Sequence, residues 1–450
     1  MAVNKRLIFW LVKAYIKKWR KTIFFFFIFG LLFFFILQFF LSTIIAKFPL
    51  IEKETIGVVG AYTVESLPDF ILQDVSQGLT SVDSHGNIHP NLAASWEIQD
   101  SGKTYIVHLK KDQTFSDGSP FVSDSLSFPY SDVKVLRPNP QTLVFRLKEP
   151  YAPFLVALSR PVFKNGFTGV GEWRIKEIKV NGTFVSSLTL AGVTQPFKIR
   201  IYQFYPTQES LRLAFVLGNV SQALGLTNLS FKNTSLSTFP NAQIDKTTDY
   251  SQLVTLFFNT QDRDLSDKRL RDALSFALPT TFSEGERAYS PIAPHSWAYQ
   301  QSTLYLPDKE HAKLIVTTIK QDTKTKLPTL TISTLPRYKA VAEKVIAAWE
   351  QVGISAKLDV VSSRPNNFQI FLGVFNVPQD PDQYSLWHSD QENNITKFNS
   401  TRIDKLLEDG RKTIDHDTRL RLYADFQKYL MDEAPAAFLY FPYSYTVTRK

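Results

Sequence analysis

Cysteine is absent from this 450-residue chain. That excludes disulfides, thiolate metal sites, a cysteine nucleophile and a lipid-modified N-terminal cysteine. Histidine is sparse: the seven present (His85, His89, His108, His295, His311, His388 and His416) form no His-Glu-x-x-His or other close ligand pair, which argues against a zinc enzyme. Neither Gly-x-Ser-x-Gly nor a P-loop occurs, so no local motif argues for catalysis. No enzymatic activity, resident metal or cofactor is expected. What remains is 44% hydrophobic, 14% aromatic and 21% charged, the composition of a folded chain, long enough for two or three domains.

Acidic residues are missing altogether from the first 50 positions, while Lys5, Arg6, Lys13, Lys17, Lys18, Arg20, Lys21 and Lys47 give that segment +8 of the net +9. The other 400 residues hold 43 basic and 42 acidic groups. The body is therefore nearly neutral and offers no global excess of positive charge for a phosphate backbone, so no nucleic-acid partner is expected.

Thr22 to Ala46 is 25 residues without a formal charge, rich in phenylalanine. As a helix it would be ~37 Å long, enough to cross a bilayer with some tilt. Seven of the eight basic residues precede it, which places residues 1–21 in the cytosol and the chain after residue 48 outside. A cleaved signal peptide would have an apolar region of only ~7–15 residues followed by an Ala-x-Ala-like site; Ser42–Ala46 (STIIA) matches that poorly. An uncleaved single-pass anchor in the cytoplasmic membrane is expected over residues 22–46, with a tether over 47–55. Residues 7–19 (LIFWLVKAYIKKW) are too short to span; they either lie on the inner leaflet or extend the anchor helix.

The body opens with a strand-like run, Ile56–Gly60. Residues 104–109 and 142–147 read as strands, with hairpin signals at Ser101-Gly102 and Asp117-Gly118. Helical spacing appears over 339–351, 401–411 and 418–432, the last capped by Asp415 or Asp417. Strands mixed with helices predict an α/β or α+β body without repeats.

Several ordered segments resemble a known family. They begin with Pro90-Asn91-Leu92-Ala93-Ala94-Ser95-Trp96-Glu97, Asp100-Ser101-Gly102-Lys103-Thr104-Tyr105 and Phe115-Ser116-Asp117-Gly118-Ser119-Pro120-Phe121. Pro150-Tyr151-Ala152-Pro153-Phe154-Leu155 and Phe258-Asn259-Thr260 follow, the latter ahead of Asp267-Lys268-Arg269-Leu270-Arg271. Trp297-Ala298-Tyr299, Asp380-Pro381-Asp382 and Pro435–Tyr440 complete the set. Over residues 55–450 the chain is similar to the family 5 solute-binding proteins of ABC importers, the peptide- and nickel-binding group. The resemblance implies a two-lobed periplasmic-binding-protein-like fold (type II, cluster C-like) with a hinge, here preceded by one transmembrane helix. Lobe one would be 55–252 plus 436–450 and lobe two 253–435, with the hinge near 253–259 and 435–440. Two departures stand out. Ser127–Ser131 interrupts a region where the family continues into a long helix. The stretch Val374–Gln379, where peptide-binding members carry an acid for the ligand amine, has none.

The ligand-binding residues implied are Asp380, Asp382, Asn376, Trp387, Tyr384, Trp297 and Tyr299. Carboxylates accept charge-assisted hydrogen bonds from ammonium and amide groups, and aromatics supply apolar area with a polar handle. Asp-Pro-Asp is equally good turn chemistry, and each aromatic is equally a core filler. His388, a lone histidine, is a weak metal candidate. The function implied is that of a monomeric extracytoplasmic subunit that binds a peptide or similar small solute between its lobes and hands it to ABC permease subunits. The alternatives are an anchored chaperone or receptor-sensor that reuses the fold without transport, or a hydrolase on the same scaffold.

Overall fold

The computed structural model describes residues 5–47, 51–128, 130–301, 306–324 and 327–450. Lys5–Lys47 is one continuous helix of 43 residues, ~64 Å long at 1.5 Å per residue. The apolar segment expected over residues 22–46 is therefore part of a longer helix that extends on its N-terminal side. The part apolar enough to cross a membrane is Val12–Phe40, none of it buried against the rest of the molecule. Phe24, Phe33 and Phe39 are each more than half exposed. By length and composition this helix meets the requirement for a membrane span, and a signal sequence meets it equally. Residues 48–50 of the expected tether lie outside the described residues, and the first strand of the body begins at Glu52.

The body is two lobes built on one twelve-stranded mixed sheet. The strand Ala436–Arg449 joins them. Its first half pairs with Gln252–Phe258 and Gly285–Arg287. Its second half pairs with Gln222–Leu226 and Ala242–Thr248. The change of partner falls between Phe441 and Tyr443. Beyond it on one side come Glu52–Val59, Lys198–Tyr205, Phe184–Gly192 and Trp173–Asn181; on the other come Ile370–Asn376, Leu330–Thr334 and Ala356–Val360. Glu52–Val59 runs parallel to Lys198–Tyr205 and to Gln222–Leu226. Parallel neighbours need a crossover, and Gln208–Leu217 supplies it as a helix capped by the Thr207 side chain and ended by Gly218 in the left-handed conformation.

Gly285 sits where the two halves of the long strand meet. It pairs with Pro442, and a Cβ there would lie 2.2 Å from the Phe441 carbonyl oxygen. Because the obstacle is backbone, a side chain must push the strands apart. Gly285→Ala is expected to destabilise the body by about 1–3 kcal/mol, read as a lower urea midpoint; an unchanged midpoint would mean the strand pair relaxes freely.

A separate four-stranded antiparallel sheet, in the order Ala93–Gln99, Thr104–Leu109, Thr142–Leu147, Val133–Asn139, extends the first lobe. Two of these are the strands expected from sequence. The turn at Ser101 (φ 53°) and Gly102 (φ 97°) is where the hairpin signal placed it. Tyr105, Val107, Leu143, Phe145 and Phe154 fill its own core. Between Phe121 and Val133 only a single tight turn, Ser123–Ser125, is helical among the described residues, in line with the interruption seen in the sequence. In the second lobe Lys339–Glu350, Thr401–Lys412 and His416–Glu433 are helices. Asp415 caps the last, its carboxylate accepting the Thr418 N–H at 2.9 Å.

Candidate functional site

The Asp380-Pro381-Asp382 turn organises the face of the second lobe that meets the first. Each carboxylate accepts the backbone N–H two residues on, Asp382 and Tyr384 respectively. That is the turn chemistry of aspartate. Both side chains are also almost fully buried, and an unpaired buried carboxylate is costly. Each is therefore matched to a guanidinium from the helical hairpin that follows. Arg419 donates to Asp380 at 2.6 Å and to the Gly410 carbonyl at 3.0 Å. Arg411 donates to Asp382 through Nη2 at 2.9 Å and Nε at 3.2 Å.

Burial pushes the Asp382 carboxyl upward against the pull of Arg411. For Arg419 burial works downward, but the Asp380 charge carries its pKa above the ordinary value. Burial likewise raises the Tyr423 phenol beside it. The aromatics complete the arrangement. The Arg411 guanidinium lies 4.0 Å from the ring centre of Tyr384 and 5.3 Å from that of Tyr151 in the first lobe. Arg419 lies 5.3 Å from Trp297, and Trp297 packs on His416 at 4.6 Å.

These groups touch the first lobe directly. The Ala152 N–H donates to the Arg411 carbonyl at 2.8 Å, and the Trp297 N–H to the His85 carbonyl at 2.9 Å. His85 Nδ1 stands 3.0 Å from the His295 carbonyl. Gly86 lies against Trp297, where a Cβ would come within 3.0 Å of the ring, and its φ of +86° is the left-handed conformation that glycine adopts without strain.

Two hollows open along this seam. One, of about 210 Å³, is lined by residues 82–86 of the first lobe and by Tyr250, His295, Ser296 and Gln379 among others. The second, of about 360 Å³, lies between Glu149–Tyr151 and Tyr384, Glu408, Arg411 and Lys412. In the first, Tyr250 donates to Glu286 at 2.7 Å, and burial together with that bond pushes its pKa up to about 12. His295 stacks edge-on against Tyr250 at 4.4 Å; burial, then the neighbouring His85, lowers its pKa. This hollow presents the Tyr250 hydroxyl, the His295 imidazole and backbone groups, together with the Asp83 carboxylate, whose pKa is held well below the usual range by hydrogen bonds from His89 and Asn87.

Of the seven residues singled out from sequence, Asp380, Asp382, Tyr384 and Trp297 come together at the seam. Asn376 is at the exposed end of its strand, one residue before Val377 of the first hollow. Tyr299 is half-buried against the second-lobe core. Trp387 is 2% exposed with its indole N–H donated to Gln383 at 2.8 Å, so it is a core residue with its polar handle already used. His388 is buried beside Glu408 and Asp390. No group of three or more metal-ligating side chains forms among the described residues. Sequence reading missed Arg411, Arg419, His85, His295 and Tyr250. The two arginines had a signal: a pair of aspartates destined for burial requires cations. The others had none, since long-range folding alone brings them together.

This architecture, two lobes joined through a shared strand with a seam of loops between them, is that of a binding protein of the periplasmic type. Residues 87–397 match the bacterial extracellular solute-binding proteins, family 5 middle, and the chain belongs to that family. It is 23% identical over 430 residues to the dipeptide-binding protein of Escherichia coli (strain K12), covering 77% of this chain and 79% of that protein. To the nickel-binding periplasmic protein of the same organism it is 25% identical over 446 residues, covering 82% and 83%. The crystal structure of NikZ from Campylobacter jejuni in complex with Ni(L-His) superimposes with a TM-score of 0.71 at 20% identity, covering 90% of this chain and 95% of that one.

Proposed function

We propose that this protein is a membrane-anchored solute-binding subunit of an ABC importer. It takes up a peptide or similarly small polar solute between its lobes, outside the cytoplasmic membrane, and presents it to permease subunits. The observation that carries the reading is the seam itself: residues from both lobes line its two hollows, so closing the lobes encloses whatever lies there. In this reading the hinge lies beside the 253–259 and 435–440 expected from the resemblance, which pair with each other as strands: it is the long strand where it changes partners at Pro442–Tyr443 and the chain near Thr248–Gln252. Trp297, Tyr384 and the first hollow face the solute. Asp380 and Asp382, already neutralised by arginine, hold the loop in shape. The Phe-rich helix replaces the lipid that a chain without cysteine cannot carry, and tethering raises the local concentration at the permease.

The test is thermal denaturation of residues 49–450 against peptides, amino acids and their nickel chelates. A ligand at a hundred times its Kd should add about 2.7 kcal/mol of apparent stability. His295→Ala should weaken the bound solute about tenfold, ~1.4 kcal/mol, while the ligand-free melting curve stays in place. A wide library without any shift would count against solute capture.

A further inference from the structure

The junction between anchor and body restricts how the body stands on the membrane. Only residues 48–50 separate the helix ending at Lys47 from Ile51, and four steps of extended chain reach at most ~14 Å. The strand that starts at Glu52 is therefore held close to the bilayer at its first residue.

The sheet register shows what else lies at that end. Glu52 pairs with Lys198, and its N–H donates to the Phe197 carbonyl at 3.1 Å, so Phe197 stands beside Ile51. The crossover helix returns against the strand direction and ends at Leu217, four residues before Ser221, whose N–H donates to the Thr55 carbonyl at 2.8 Å near the start of the first strand. Arg449, whose guanidinium donates to the Phe215 carbonyl, brings the chain terminus to the same place. Ile51 is 70% exposed, Leu217 66% and Phe197 47%; Lys53, Lys198 and Lys450 are exposed among them, with one acid, Glu52, 3.7 Å from the Lys198 ammonium. Apolar side chains ringed by lysines suit the boundary between acyl chains and phosphate headgroups.

We propose that this end of the first lobe rests on the outer leaflet, with Ile51, Phe197 and Leu217 entering the headgroup boundary and the lysines on lipid phosphates. The proposal rests on the anchor reading above. Its consequence is a fixed posture. The long strand rises away from the membrane for ~43 Å at 3.3 Å per residue, and the second lobe, paired to its far half, stands outermost.

The absence of cysteine makes the test clean. The single variants Phe33→Cys, Gln195→Cys (in the exposed turn before Phe197) and Thr318→Cys (on the second-lobe helix Lys309–Thr323) are labelled with an environment-sensitive fluorophore. The full chain is then reconstituted in nanodiscs containing headgroup nitroxide lipid or acyl-chain nitroxide lipid. The Phe33 probe should be quenched by the acyl-chain nitroxide and the Gln195 probe by the headgroup nitroxide, with Thr318 unaffected by either. Adding Phe197→Asp and Leu217→Asp should release the Gln195 probe. Quenching at Phe33 without quenching at Gln195 overturns the docked posture and leaves the anchor standing. No quenching at Phe33 overturns both.

Discussion

Arg419→Met is expected to destabilise the body by about 3–5 kcal/mol, the cost of leaving a buried carboxylate without its partner. Asp380 and Arg419 are both less than a tenth exposed and meet at 2.6 Å, and Arg419 also satisfies the Gly410 carbonyl. Removing the cation strands a charge that water cannot reach, so the turn must open or take up a proton. Urea denaturation of residues 49–450 reads the loss. The double replacement Asp380→Leu with Arg419→Met should recover most of it, because two apolar groups in place of a buried pair are close to neutral. If the single variant cost less than about 1 kcal/mol, the pair would be behaving as a solvated one. Arg419 also underlies Trp297, so the single variant should weaken solute binding as well.

Deleting residues 1–48 is expected to move the protein completely from the membrane fraction to the soluble fraction. At ~0.3–0.6 kcal/mol per apolar residue the Phe-rich span supplies on the order of 10 kcal/mol of membrane affinity. The body owes the helix nothing, since none of the apolar span is buried against it. The truncated protein should therefore keep its circular dichroism and melting temperature. Sedimentation after a carbonate wash, with spectra of the supernatant, decides the matter. Aggregated or unfolded product would mean that anchor and body are not separable.

Much of the fold was legible. The strands Thr104–Leu109 and Thr142–Leu147 alternate on a half-buried surface, and the helix Lys339–Glu350 places Val341, Val345 and Trp349 on its buried side. Such local periodicities are written in the order of residues. The candidate site was legible only in part. Asp380 and Asp382 were singled out for their charge, and the turn they form was foreseen beside the ligand role. What their charge meets, Arg419 and Arg411, lies 39 and 29 residues further on in two successive helices. Trp387 and Tyr384 belong to one short helical turn, yet one faces the core and the other faces Arg411, a distinction of rotation that spacing over four residues does not carry.

The sequence by itself determined the long apolar segment and the charge asymmetry that flanks it, the near-neutral body and the family, because hydropathy, charge and ordered motifs are properties of neighbours along the chain. Only the tertiary structure decided which carboxylates are already neutralised and which loops face one another across the seam. It also decided that Ile51, Phe197 and Leu217 share one end of the sheet. Those include contacts between residues more than 200 positions apart, as between His85 and His295, and they exist only once pairing register and lobe packing have fixed each side chain in space.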